Sequence, residues 1–273
     1  MSELLSLVRA GRKPVVGMVQ LPALAGGANY RGESFASVLE AGLAEAQILA
    51  ENGVDVLMVQ NLGDIPVHAT ATTVQVAWMT RVTAEIRNKF SRPVGLNLLE
   101  NDAEAMFAIA SASGADFVRI KIYVGAMMTP FGMETAQAHN AIKARTSWNA
   151  GNVAIFADVH DRTGTPIATG GFEEDVEFAV RLGGTDGLVL TGKSYPQTLD
   201  MVARARAKYA DIPILVGGGV TAANFAEVVS KADGAMVSTS MKDSGSAVGR
   251  FVPSKVREFM AVARTVQVPQ QFE

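Results

Sequence analysis

The feature that most constrains this chain is a run of short apolar segments set apart by stretches with helical spacing. Eight such segments occur, at 15–20, 54–60, 94–98, 117–122, 153–159, 187–191, 214–216 and 235–237. The intervening stretches, among them "SFASVLEAGLAEAQILAEN", "TVQVAWMTRVTAEIRNKF", "DAEAMFAIASASG", "ETAQAHNAIKARTSWNA" and "AANFAEVVSKA", repeat their apolar residues with the period of a helix. Several end at a Gly or an Ala-Asp pair just before the next apolar run, as in "ENGVDVLMV", "ASGADFVRI", "GGTDGLVL" and "KADGAMVS", the usual helix C-terminal signal. Eight alternating units in 273 residues predict an α/β fold, a closed (β/α)8 TIM barrel, since an open doubly wound sheet seldom uses eight units so evenly spaced. No linker interrupts the pattern, which predicts a single domain over 1–273, with 1–13 as an N-terminal helix or extension and 265–273 as a C-terminal tail.

Composition narrows the function classes. Hydrophobic residues make up 48% and charged residues 19%, leaving no disordered block. The net charge of -3 and scattered basic residues argue against a nucleic-acid surface. With no cysteine, disulfides, thiolate catalysis and cysteine metal sites are excluded. No apolar run reaches the ~18 residues a membrane span needs, and "MSELLSLVRAGRKP" is too short and too charged for a signal peptide. A cytoplasmic protein without a membrane span is expected.

A barrel places its chemistry at the C-terminal ends of its strands. Gly217, Gly218 and Gly219 end the seventh run, and Ser238, Thr239 and Ser240 end the eighth. Such paired loops hold a phosphate on backbone N–H groups, and glycine lets the backbone come close. Gly218, Gly219, Ser238 and Thr239 are therefore the predicted phosphate contacts. At the other strand ends Gln20, Asn61, Asn97, Arg119 and Thr191 are candidate substrate contacts. The two-residue period of a strand puts Arg119 with Lys121 and Asp158 with His160. Lys121, Asp158 and His160 are the candidate catalytic set, with His160 as proton carrier and Asp158 ionised beside the cations with its pKa depressed. Two potential ligands two residues apart are too few to assign a metal, so no metal site is predicted. The sequence requires no cofactor and leaves a divalent metal and a homo-oligomer open.

Six stretches, "GMVQLPALAGGANYRG", "VDVLMVQNLGDIPV", "VGLNLLENDAEAMFAIASASGADFVRIKIYVGAMMTPFG", "IFADVHDRTGTPI", "DGLVLTG" and "ILVGGGVTAANFAEVVSKADGAMVSTSMKDSG", resemble in order the BtpA family, whose name comes from photosystem I biogenesis. The resemblance implies a barrel of the ribulose-phosphate-binding class. The chain departs from the family pattern in three places: Gln20 stands where a histidine is usual, Gln60 where a glutamate is usual, and Arg162-Thr163 where a Lys-His pair commonly follows the fifth strand. Glutamine hydrogen-bonds but does not exchange protons near neutral pH.

Two functions are compatible with these features. One is an enzyme acting on a phosphorylated sugar or nucleoside-derived small molecule, by lyase or aldolase, isomerase or hydrolase chemistry. The other is a non-catalytic assembly or stability factor of the photosystem-biogenesis type that retains the ligand pocket.

Overall fold

The computed structural model describes residues 2–267. Eight parallel strands close into a barrel: β1 (Val15–Gln20), β2 (Val56–Gln60), β3 (Val94–Asn97), β4 (Phe117–Ile120), β7 (Ala154–Asp158), β9 (Gly187–Leu190), β10 (Ile214–Val216) and β11 (Gly234–Val237). Every apolar run of the sequence forms one of these strands, with ends shifted by no more than two residues. Helices α2 (Phe35–Glu51), α3 (Thr73–Lys89), α4 (Ala103–Ser113), α5 (Ala138–Ser147), α6 (Phe172–Glu177), α7 (Tyr195–Lys208), α8 (Phe225–Lys231) and α9 (Pro253–Gln267) lie between and after the strands. The alternation has a local cause. Helix α3 opens with a Thr72–Gln75 capping box, α4 with an Asp102 cap, and α4 stops at Gly114 in the left-handed conformation before β4 begins.

Three further strands lie outside the barrel. β5 (Ala126–Thr129) and β6 (Gly132–Thr135) form an antiparallel hairpin, and β8 (Thr165–Ile167) adds to the edge of β5. The helical pattern expected from Glu134 onward therefore starts late, at Ala138, because Pro130, Phe131 and a left-handed Gly132 turn the chain back on itself. The expected tail likewise starts late: residues 265–267 belong to α9, and 268–273 lie outside the described residues.

Inside the barrel, Val16, Met18, Val56, Met58, Phe117, Phe156, Val189, Leu215 and Met236 pack into a second core separate from the one between strands and helices. Phe117 and Phe156 meet edge to face, with centroids 5.6 Å apart. Gly95 makes room for them, because a Cβ there would collide with the Phe117 ring. The N-terminal end of this core is closed by α1 (Glu3–Arg9), whose Leu4 and Leu5 are 0% and 5% exposed and belong to the interior cluster. Burying each contributes about 1.5–3 kcal/mol.

That helix is fixed by a carboxylate from elsewhere in the chain. Asp116, just before β4, accepts from Ser2 Oγ at 2.6 Å, Glu3 N at 2.6 Å and Leu4 N at 3.0 Å, which satisfies the first-turn N–H groups of α1. Replacing Asp116 by Ala is expected to lower stability in urea by about 1–3 kcal/mol. Amide exchange at residues 4–9 should then rise well before exchange in the strands does. Equal protection in variant and parent would show that α1 is held by its leucines alone.

Candidate functional site

The C-terminal strand ends surround a cavity of about 470 Å³. Gln20, Arg119, Lys121, Thr191, Gly218, Gly219, Ser238 and Thr239 all line it, joined by Gln60, Asp161, Arg162 and Thr163. Asn61, Asn97, Asp158 and His160 do not. The charged groups on its wall are three cations and one carboxylate, and their arrangement follows from the ends of β4 and β7.

Arg119, 6% exposed, points inward from β4. Its Nε donates to Asp158 Oδ1 at 2.8 Å and its Nη2 to Asp158 Oδ2 at 2.6 Å, a bidentate pair. Asp161 stands 3.8 Å from the same Nη2 and 3.3 Å from Lys121 Nζ, and Lys121 also donates to Thr163 Oγ1 at 3.0 Å. Lys121 is thus partnered by Asp161. Asp158 sits behind Arg119, away from the cavity wall.

The titration of these groups differs from the expected pattern. Burial pushes the Asp158 carboxyl up to about 6, more than Arg119 can offset, where a depressed value was expected. Burial alone would lower Arg119, but Asp158 and Asp161 outweigh it and raise it. At Asp161 burial is overcome by Lys121, Arg119 and Thr163, which hold the carboxyl down to about 2.

His160 departs from the two-residue period because its φ is 55°, in the left-handed region, which turns it off the line of Asp158. Its Nε2 lies 2.6 Å from Asp175 Oδ2, its ring packs edge-on against Phe172, and Thr169 Oγ1 donates to the same carboxylate oxygen at 2.5 Å. The histidine therefore joins the loop after β7 to α6.

The floor of the cavity is a chain of amides. Gln20 Nε2 donates to Gln60 Oε1 at 3.3 Å, Gln60 Nε2 to Asn97 Oδ1 at 2.7 Å, and Asn97 Nδ2 to the Arg119 carbonyl at 2.8 Å. Ser238 Oγ and Lys242 Nζ both donate to Gln20 Oε1, at 2.8 and 2.7 Å. Lys242, 1% exposed, also lies 3.5 Å from Glu45. Burial lowers the lysine and raises Glu45, each opposed by the other. Asn61 belongs to a separate buried network: its Nδ2 donates to Asp64 Oδ2 at 2.8 Å and Glu100 Oε2 at 2.7 Å, and Gln75 Nε2 reaches both carboxylates at 2.8 Å.

Opposite Lys121, three observations converge on the glycine loop. The N–H groups of Gly218 and Gly219 have no acceptor among the described residues. Thr191 Oγ1 is buried without a hydrogen-bond partner among them. Arg162, exposed on the rim, lies over Gly218, its Nη1 3.4 Å from where a Cβ of that residue would stand, and pairs with no carboxylate among the described residues. Glycine is required at 217, since a Cβ there would strike Thr191 Oγ1 and Val189.

Sequence reasoning did not assign Asp161, Arg162 or Lys242 to the site. Asp161 and Arg162 follow the fifth strand outside its alternation, and Lys242 sits four residues past Ser238. No group of three or more potential metal ligands occurs among the described residues, and no helix among them is long and apolar enough to cross a membrane.

The closed parallel barrel with helices between its strands defines a protein of the (β/α)8 class. Within that class the chain belongs to the BtpA family, whose model matches residues 11–265. An uncharacterized protein of Thermococcus kodakarensis is 34% identical over 257 residues, 94% of this chain and 97% of that one. The photosystem I biogenesis protein BtpA of Synechocystis sp. is 31% identical over 250 residues, 90% of this chain and 86% of that one. Among solved structures, Mycobacterium tuberculosis tryptophan synthase aligns with a TM-score of 0.61 at 15% identity, over 97% of each chain. N-(5'-phosphoribosyl)anthranilate isomerase from Pyrococcus furiosus aligns at 0.56 and 16%, over 93% of this chain and all of that one. At these identities the likeness is one of fold.

The ion array predicts a two-phase dependence of stability on acidity. From about pH 6 to 4, Asp158 takes up a proton in the fold that the unfolded chain does not bind, so acidification favours folding. Asp161 acts the other way. Its depressed pKa contributes stability above about pH 4, on the order of 2 kcal/mol, which is lost as the pH falls toward 2. Urea titrations across this range should show the rise and then the fall, and Asp161→Asn should remove the fall. Asp158→Ala at neutral pH is expected to cost about 3–5 kcal/mol, because it strands a buried guanidinium, and the Arg119→Met, Asp158→Ala double variant should recover much of that loss.

Proposed function

We propose that this protein is an enzyme that binds a small phosphorylated molecule, sugar- or nucleoside-derived, in the barrel mouth. The observation that carries the reading is the open glycine loop after β10: Arg162, without a carboxylate, lies over Gly218, Thr191 Oγ1, without a partner, lies beside Gly217, and the N–H groups of Gly218 and Gly219 have no acceptor among the described residues. A phosphate there would accept from Gly218, Gly219 and Thr191, stand beneath Arg162, and reach Ser238 and Thr239 at the end of the neighbouring strand β11.

In this reading Lys121 is the group that meets the reacting centre. Two of its three protons are committed to Asp161 and Thr163, and the third is available to an oxygen of the substrate. Its charge would stabilise an oxyanion that develops there. Asp158 acts through Arg119 by fixing the guanidinium plane, and the amides of Gln20 and Gln60, the latter held from behind by Asn97, orient substrate hydroxyls without exchanging protons. His160, turned toward Asp175, holds the loop that carries Asp161 and Arg162.

A second reading, a non-catalytic assembly factor with a retained ligand pocket, is favoured by the amide floor, which has no proton to offer at Gln20 or Gln60. The name of the Synechocystis relative is in keeping with it.

Thr191→Val separates a ligand site from a structural quirk. Removing an unpaired buried hydroxyl should raise stability by about 1 kcal/mol while weakening phosphate binding, a trade that a purely structural threonine would not show. Calorimetric titration with inorganic phosphate and ribose 5-phosphate should give binding that Arg162→Ala reduces by about tenfold, or ~1.4 kcal/mol. Unchanged affinity in Arg162→Ala would remove the phosphate assignment. Lys121→Met should abolish turnover of the phosphorylated substrate while leaving phosphate affinity largely intact. Should that variant turn over normally, the catalytic assignment of Lys121 fails.

A further inference from the structure

The mouth continues sideways into a smaller chamber of about 170 Å³, walled by Ile65, Val67, Leu99, Ile122, Pro130 and Phe131. Ile65, Leu99, Lys121 and Thr163 line both spaces, so the two are contiguous and Lys121 stands at their junction. The chamber is roofed by the β5–β6 hairpin, whose tip residue Phe131 is 45% exposed. A cavity of about 150 Å³ holds a benzene molecule, so this one accommodates a single ring.

One carboxylate reaches into these apolar walls. Glu134, half-buried on β6, lines the chamber and makes no hydrogen bond or ion pair among the described residues. Burial raises its pKa, with His68 drawing it the other way. A lone carboxylate beside an apolar slot recognises an N–H donor on the edge of a flat ring. Asn101, also on the wall, is already committed: its Oδ1 accepts from Ile122 N at 2.9 Å and its Nδ2 donates to the carbonyls of Ile122 and Thr135, each at 3.3 Å.

We infer that the ligand is a phosphate ester whose far end is a single flat ring bearing an N–H donor, of the size of a pyrimidine nucleoside monophosphate, with the ring against Phe131 and the donor on Glu134. The inference rests on the phosphate reading above and narrows it, since a bare sugar phosphate would leave the chamber unfilled. With the phosphate at the glycine loop and the ring under the hairpin, the bonds between them pass Lys121.

Titration of the full chain with cytidine 5′-monophosphate, ribose 5-phosphate, cytidine, adenosine 5′-monophosphate and inorganic phosphate tests both ends separately. Cytidine 5′-monophosphate is expected to bind at least tenfold more tightly than ribose 5-phosphate, and adenosine 5′-monophosphate less tightly than the cytidine ester because its second ring exceeds the chamber. Phe131→Ser and Glu134→Ala should each reduce the affinity for cytidine 5′-monophosphate about tenfold and leave that for ribose 5-phosphate unchanged. Both residues lie on the hairpin outside the barrel, and unchanged ribose 5-phosphate binding also shows that the variants are folded. If the two phosphate esters bind equally, or the variants do not tell them apart, the ring chamber is overturned while the phosphate reading stands. If cytidine binds in a way that depends on Phe131 and inorganic phosphate does not bind, the chamber stands and the phosphate reading fails. Binding of none of the five overturns both.

Discussion

The mouth of this barrel depends on the burial of one guanidinium. Arg119 can occupy the interior only because both oxygens of Asp158, on the neighbouring strand, meet it in a planar fork. Once it is fixed there, its Nη2 stands 3.4 Å from where a Cβ of Gly217 would be, and Asp161 lies 3.8 Å from the same nitrogen. Asp161 in turn positions Lys121 and, through Thr163, the start of the loop that carries Arg162. Removing the fork would leave each later placement without its cause.

The loops after β2 and β3 are fixed by different chemistry. Asp64 and Glu100 are 1% and 2% exposed, pair with no cation among the described residues, and share the same two amide donors, Asn61 and Gln75. Burial raises the Glu100 carboxyl, opposed by the hydrogen bond from Asn61. This network anchors the segments that bring Ile65 and Leu99 to the edge of the mouth. One side of the site is thus held by ion pairs and the other by amides. Glycines and hydroxyls, which demand little of their neighbours, are left to line the remaining wall of the cavity.

The barrel was legible in the sequence because its units repeat similar local instructions: an apolar helical face and a short apolar run in each, with a side-chain cap and a glycine or Ala-Asp stop in several. Such signals act within a few residues and need no knowledge of the fold. The hairpin at β5 and β6 was not legible, because "GAMMTPFGMET" is short and its last residues also continue the helical spacing that follows. Strand-end residues with a two-residue period, Arg119 and Lys121, both line the mouth as their spacing implied. Their partners could not be read the same way. Asp158 and His160 part company where the strand ends, since a single left-handed residue sends the histidine toward α6. Asp161 lies beyond the reach of any period. Pairing between loops depends on the closed barrel, and no local window contains it.

The helix that plugs the barrel floor has a kinetic consequence. With the interior filled by its core and Leu4 and Leu5 seated beneath it, no path runs through the barrel, and the cavity at the C-terminal strand ends is reached from that face. Entry and exit then compete for a single portal, part of whose rim, the β5–β6 hairpin, belongs to no barrel strand and is held at its edge by β8. For the two-ended ligand proposed above, such a mouth sets an order by depth: the end bound at the glycine loop enters first and leaves last.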